Sequence, residues 1–134
     1  MINRWGGGYF DVDERGLVTV APLQERGKRV AIHDVVKAAQ AEGLKTPLLI
    51  RFQDLLHHRV RTLNEAFLAA INEFRYRGLY RGVFPIKVNQ LHEVVTEILD
   101  AGQRYHYGIE VGSKPEMFAG IPVHTDNESL IVCN

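Results

Sequence analysis

From Pro47 onward the chain alternates short apolar runs with longer stretches of helical rhythm, and this order restricts its fold more than any other feature. Leu48-Leu-Ile50 is wholly apolar, as expected of a strand buried on both faces of a parallel sheet. Between about Asp54 and Tyr76 the apolar residues Leu56, Val60, Leu63, Phe67, Ile71 and Phe74 recur every three or four positions. That spacing predicts a long helix with these six on its buried face, and Gly78 as its stop. Tyr80 to Ile86 reads as the next strand. Leu91, Val94, Val95, Ile98 and Leu99 mark a second amphipathic helix that ends at Gly102. Tyr105 to Val111 is a third strand, Lys114 to Ala119 a short helix, and Leu130 to Cys133 the start of a fourth strand.

The resulting β-α-β-α-β-α-β order argues for parallel strands joined by right-handed helical crossovers. It is compatible with an open doubly wound sheet or a (β/α)8 barrel. Four strands fall short of a barrel and no helix follows the last, so the expectation is a truncated unit.

Before Pro47 the chain has a different character. Tyr9 to Asp13 and Leu17 to Ala21 flank Glu14-Arg-Gly16 and predict a hairpin with a glycine at its turn. Pro22 to Arg29 is polar and loop-like. Asp34 is the expected cap of a short helix that runs to about Glu42 and stops at Gly43. The expected organisation is a hairpin and short helix over residues 1–45, followed by an α/β unit over 46–134.

Composition narrows the partners. Sixteen basic residues balance sixteen acidic ones, which gives no electrostatic reason to expect nucleic acid or an anionic membrane. The single cysteine, Cys133, cannot form an internal disulfide, and it lies in an apolar run that predicts a core position. The first residues lack the apolar stretch of a secretory signal, and no apolar run is long enough for a membrane span. A cytoplasmic protein is the expectation.

Chemistry points to Lys87. It ends an apolar strand within Val83-Phe-Pro-Ile-Lys-Val-Asn-Gln90, and parallel α/β folds gather their ligand-binding groups at that edge. A lysine held against apolar walls is disfavoured in its charged form, which frees its amine as a nucleophile. Charged residues also mark the ends of strands without further purpose, so position alone leaves both readings open. Asn89 is equally readable as the cap of the helix beginning near Leu91 or as a group beside a ligand. Glu110 ends the next strand at the same rim. Ser113 and Lys114 follow in a glycine-containing turn, which can present N–H groups to an anion or simply start a helix.

Other motifs fail on spacing. Gly6-Gly-Gly8 precedes a strand instead of following one, so it is no dinucleotide or phosphate loop. His92-Glu93 begins a zinc-protease pattern, but Thr96 stands where its second histidine belongs. His57 and His58 are adjacent on a helix and diverge. No metal site is expected from the residues.

The segment around Lys87 resembles the Tyr-Pro-Ile-Lys-Val-Asn-Gln segment of biosynthetic arginine decarboxylases, with Phe84 where tyrosine is common. Asn3-Arg-Trp-Gly-Gly-Gly-Tyr-Phe10 is similar to that family's N-terminal signature, and Pro47 to Phe52 with Asp54 to its first barrel strand. Tyr107-Gly-Ile-Glu-Val-Gly-Ser-Lys-Pro-Glu116 and Leu130-Ile-Val-Cys-Asn134 match further segments in the family's order. The resemblance implies a pyridoxal-phosphate enzyme, a carboxy-lyase that turns L-arginine into agmatine and CO2 for polyamine synthesis. It implies an N-terminal hairpin followed by the first four strands of an incomplete (β/α)8 barrel.

Lys87 then corresponds to the lysine that carries the cofactor and is the expected catalytic residue. Asn89, Glu110 and Ser113 are its expected neighbours at the cofactor. Mg2+ is implied by the resemblance alone. The match covers roughly the first fifth of the family's length, so this chain by itself is expected to be inactive and to self-associate as a homo-oligomer through an unfinished sheet. The alternatives are a non-catalytic truncated module and a fragment of an ornithine or diaminopimelate decarboxylase of the same fold.

Overall fold

The computed structural model describes residues 2–24 and 28–134, and the chain divides into two compact units, residues 1–55 and 56–134.

In the first unit a single helical turn, α1 (Ile2–Trp5), precedes a three-stranded antiparallel sheet of β1 (Phe10–Val12), β2 (Val18–Val20) and β3 (Val30–Ala31), in that order. The expected hairpin is present, with Phe10 opposite Val20 and Val12 opposite Val18. Its turn is built by Asp13, whose Oδ1 accepts from the Arg15 N–H at 3.0 Å and the Leu17 N–H at 2.9 Å. Gly16 adopts φ +77°, a left-handed conformation that a side chain would strain. β3 was not expected. It follows directly on the segment read as a loop, Pro22 to Arg29, of which residues 25–27 fall outside the described residues.

The helix α2 (Ile32–Ala41) follows, but Asp34 lies in its first turn and Ala31 occupies the capping position. Because α2 starts directly from β3, its first turn follows the strand with no loop in which a capping carboxylate could sit. Its end is as expected. Gly43, at φ +86°, donates to Gln40 O and Leu44 donates to Ala39 O, the paired bonds of a glycine-terminated helix.

Leu48 to Ile50 correct the sequence reading, since they form no strand. Leu49 is 76% exposed. A run of three apolar residues becomes a strand only when a neighbour offers N–H and C=O groups to pair with, and none does so among the described residues. The parallel sheet consequently has three strands, not four.

That sheet belongs to the second unit: β4 (Val83–Pro85), β5 (Gly108–Val111) and β6 (Ile131–Cys133), parallel and in chain order. Pro85 is opposite Glu110, and Glu110 is opposite Val132. The strands are shorter than expected, since Tyr80–Gly82 and Tyr105–Tyr107 carry no ladder. Helix α3 (Gln53–Glu73) runs from the first unit into the second, and α4 (His92–Gly102) and α5 (Lys114–Gly120) make the crossovers.

Two clusters form the core of this unit. Val60 of α3 meets Val94 and Ile98 of α4, with Leu56, Phe84 and Tyr107 packed around them. Ile86, Ile109 and Val111 form the second, flanked by Leu99 and Met117. Alternate residues of β4 and β5 thus turn to the helices, which sends Glu110 to the other face. The end of α5 approaches closely: a Cβ on Gly120 would lie 2.4 Å from Ile109 Cδ1.

The expected buried face of α3 is only partly buried. Val60 and Asn64 are enclosed, whereas Leu63, Phe67 and Phe74 are exposed. Periodicity gives the angle of a face but not how much neighbouring structure covers it. Asn64 tolerates burial because its Nδ2 donates to Val60 O at 2.8 Å, one turn back.

Candidate active site

β4 ends at Pro85, and the chain turns at once through a 3-10 helix, Ile86–Val88. Ile86 is 1% exposed and anchors this turn in the core. Its neighbour Lys87 therefore projects outward at the C-terminal end of the strand. The Lys87 Nζ donates to Glu110 Oε1 at 3.1 Å, so the two residues singled out at this rim are in direct contact. They differ sharply in environment: the Lys87 side chain is 54% exposed, the Glu110 side chain 10%. Lys87 is thus not the enclosed amine expected, since more than half of its side chain is exposed. Its Nζ meets the Glu110 carboxylate.

Glu110 is the more constrained partner. Its Oε2 is buried and accepts no hydrogen bond among the described residues. A buried carboxylate oxygen without a donor is costly, so this oxygen is an acceptor ready for an incoming N–H or O–H group.

Asn89 and Ser113 are near in sequence but do not join this pair by any hydrogen bond among the described residues. Asn89 Oδ1 accepts from the Leu91 N–H at 3.1 Å, an Asx turn that leads into α4. The capping position itself is Leu91, which corrects the expectation that Asn89 would hold it. Ser113 caps α5, accepting from the Glu116 N–H at 3.4 Å and donating to Glu116 Oε1 at 3.1 Å. Glu116 Oε2 in turn accepts from the Gly112 N–H at 2.8 Å. The Ser-Lys-Pro-Glu spacing is the sequence signal of this capping box. The box occupies the N–H of Gly112 and the hydroxyl of Ser113, leaving neither free for an anion.

A separate open cavity of about 300 Å3 lies at the ends of β5 and β6, lined by Val111 to Lys114, Met117, Cys133 and Asn134. Neither Lys87 nor Glu110 lines it. Cys133 is exposed there, contrary to the core position expected of it, because β6 is the edge strand of the sheet. Among the described residues no helix is long and apolar enough to cross a membrane.

A lysine just past one parallel strand, held by a carboxylate from the next, places the chain among α/β proteins that carry an amine at the carboxyl rim of the sheet. No family model matches the chain. It is 41% identical over 133 residues to the biosynthetic arginine decarboxylase of Synechococcus sp. (strain RCC307), covering 99% of this chain and 21% of that protein. It is 38% identical to the enzyme of the same name from Prochlorococcus marinus subsp. pastoris, covering 99% of this chain and 20% of that protein. The crystal structure of the biosynthetic arginine decarboxylase from Campylobacter jejuni superposes with a TM-score of 0.87 at 33% identity, over 99% of this chain and 22% of that one. Proteins named biosynthetic arginine decarboxylase thus match 99% of this chain, which spans about a fifth of their length.

Proposed function

We propose that the chain is the N-terminal part of a pyridoxal-phosphate-dependent arginine decarboxylase, which converts L-arginine to agmatine and CO2 in the cytoplasmic synthesis of polyamines. The contact between Lys87 and Glu110 carries this reading, because it puts an accessible primary amine beside a buried carboxylate within the family's own segment. On this reading β4 to β6 with their helices are successive units of a (β/α)8 barrel. Residues 48–50 become its first strand where a neighbouring edge completes them.

The residues present fit the cofactor in part. Lys87 would hold it covalently through Nζ, and the unsatisfied Glu110 Oε2 would accept a donor from the bound group or its substrate. Asn89 would contribute through its amide, since its Oδ1 is already used. Ser113 fits less well, its hydroxyl being committed to the α5 cap. When bound, pyridoxal phosphate supplies the electron sink that makes loss of CO2 feasible. This chain's own part is to present the Lys87 amine and to hold its proton between Nζ and Glu110 Oε1. Mg2+ finds no grouping of three ligand residues among the described residues, and no step is assigned to it.

A chimera tests the reading: these 134 residues replace the matching fifth of the Campylobacter jejuni enzyme, and agmatine formation from L-arginine is measured. The chimera is expected to form agmatine, and its Lys87→Ala version to form none. A Lys87→Ala chimera that retains turnover would overturn the assignment.

The exposed residues of β6 favour a second reading, in which the isolated chain is a non-catalytic module that forms homo-oligomers. Ile131 and Val132 are 39% and 38% exposed on an edge strand, and such an edge is a template for another chain.

A further inference from the structure

His106 stands between two carboxylates at the opposite end of the sheet from Lys87. It has a left-handed backbone, φ +53°, at the point where the chain turns toward β5. Its Nδ1 lies 2.9 Å from Asp126 Oδ2 and its Nε2 lies 3.6 Å from Glu128 Oε2. Both carboxylates belong to the loop that delivers the chain into β6. That loop is otherwise tied by itself: Asp126 Oδ1 accepts from the Glu128 N–H, and the Ser129 N–H donates to Asp126 O. Leu130, which follows, accepts the Ile109 N–H at 2.9 Å and so begins the β5–β6 ladder.

A second histidine is close by but plays a different part. Ser129 Oγ lies 2.9 Å from Asp126 O and 2.6 Å from His124 Nε2. A carbonyl only accepts, so the single hydroxyl hydrogen goes to Asp126 O and His124 Nε2 carries the hydrogen given to Ser129. These bonds are the same whether the other nitrogen of His124 is protonated or not. His106 has no such indifference. A neutral imidazole has one donor, and spending it on Asp126 leaves a lone pair facing the Glu128 carboxylate.

We propose that His106 is a proton-operated latch: its imidazolium bridges Asp126 and Glu128, pins the 124–129 loop to the entry of β5, and keeps the edge strand β6 paired. Loss of the ring proton releases Glu128 and loosens that edge. The surrounding groups leave the role to His106. Asp100 at the end of α4, Tyr107 and His124 line a small cavity of about 30 Å3 together with Asp126. The Arg104 guanidinium is engaged by Glu65 and the Tyr105 hydroxyl. The Asp126 carboxyl is held below the usual carboxylate range, chiefly by the Glu128 N–H and then by His106, which keeps a carboxylate opposite the ring. The direction follows from the geometry: the latch needs both ring N–H groups, one for each carboxylate, and is lost when one of them gives up its proton.

The test follows the His106 ring by NMR in the 134-residue chain while measuring exchange of the Asn134 amide, which donates to Val111 O, and the Ile109 amide. After correction for the intrinsic pH dependence of exchange, their protection is expected to fall about two- to fivefold with the midpoint of the ring, the range of a half-exposed ion pair. Glu128→Gln is expected to flatten that change. Protection that ignores the His106 midpoint, or a full response surviving in Glu128→Gln, would overturn the proposal.

Discussion

Single carboxylates organise both units, and each does so by accepting backbone N–H groups as much as by pairing with cations. In the hairpin, the Leu17 N–H and then the Arg15 guanidinium hold the Asp13 carboxyl below its ordinary value of 3.8. A depressed carboxylate stabilises the fold above its unfolded value and loses that contribution as pH falls through the lowered, folded one. Protection of the β1 and β2 amides, corrected for the intrinsic pH dependence of exchange, should therefore fall as the solution is acidified below about pH 4, and Asp13→Ala should show low protection at every pH, with that acid limb gone. Glu110 is the contrasting case, with one oxygen on Lys87 and the other buried without a donor among the described residues. An enclosed carboxylate left half satisfied is what a binding site provides and what a purely structural ion pair avoids.

At the scale of elements, the helices were legible and the strands much less so. α4 was readable because Val94, Val95 and Ile98 carry its period and all three are buried. The hairpin was readable from Gly16, and the end of α2 from Gly43, since both positions need a positive φ. Leu48 to Ile50 misled because a strand is defined by its partner, and an apolar run says nothing of whether one is present. Cys133 misled for the related reason that an edge strand and a central strand can have the same composition. Lys87 and Glu110 could each be found from their place at strand ends, but their contact depends on the β4–β5 register, which one sequence does not contain. The α5 cap is legible in the spacing of Ser113 and Glu116. Ser113→Ala should cost about 1 kcal/mol, typical of a lost N-cap, and denaturant unfolding monitored on the second unit would register it.

For the whole molecule, the sheet of β4, β5 and β6 is short and bears its candidate chemistry at one rim and the His106 latch at the other. The two ends are separable, so changes at Glu128 should leave the behaviour of Lys87 untouched. Kinship to arginine decarboxylases rests on 33–41% identity across nearly the whole chain, and Lys87 is the residue on which their proposed chemistry turns here. The most direct measurement is borohydride reduction of the chain after incubation with pyridoxal phosphate, followed by peptide mass mapping. The account predicts a label concentrated on Lys87, whose amine is accessible and oriented by Glu110, and a sharp reduction of that label in Glu110→Ala. A label spread evenly over the surface lysines, with Lys87 no more reactive than Lys37 or Lys114, would contradict it.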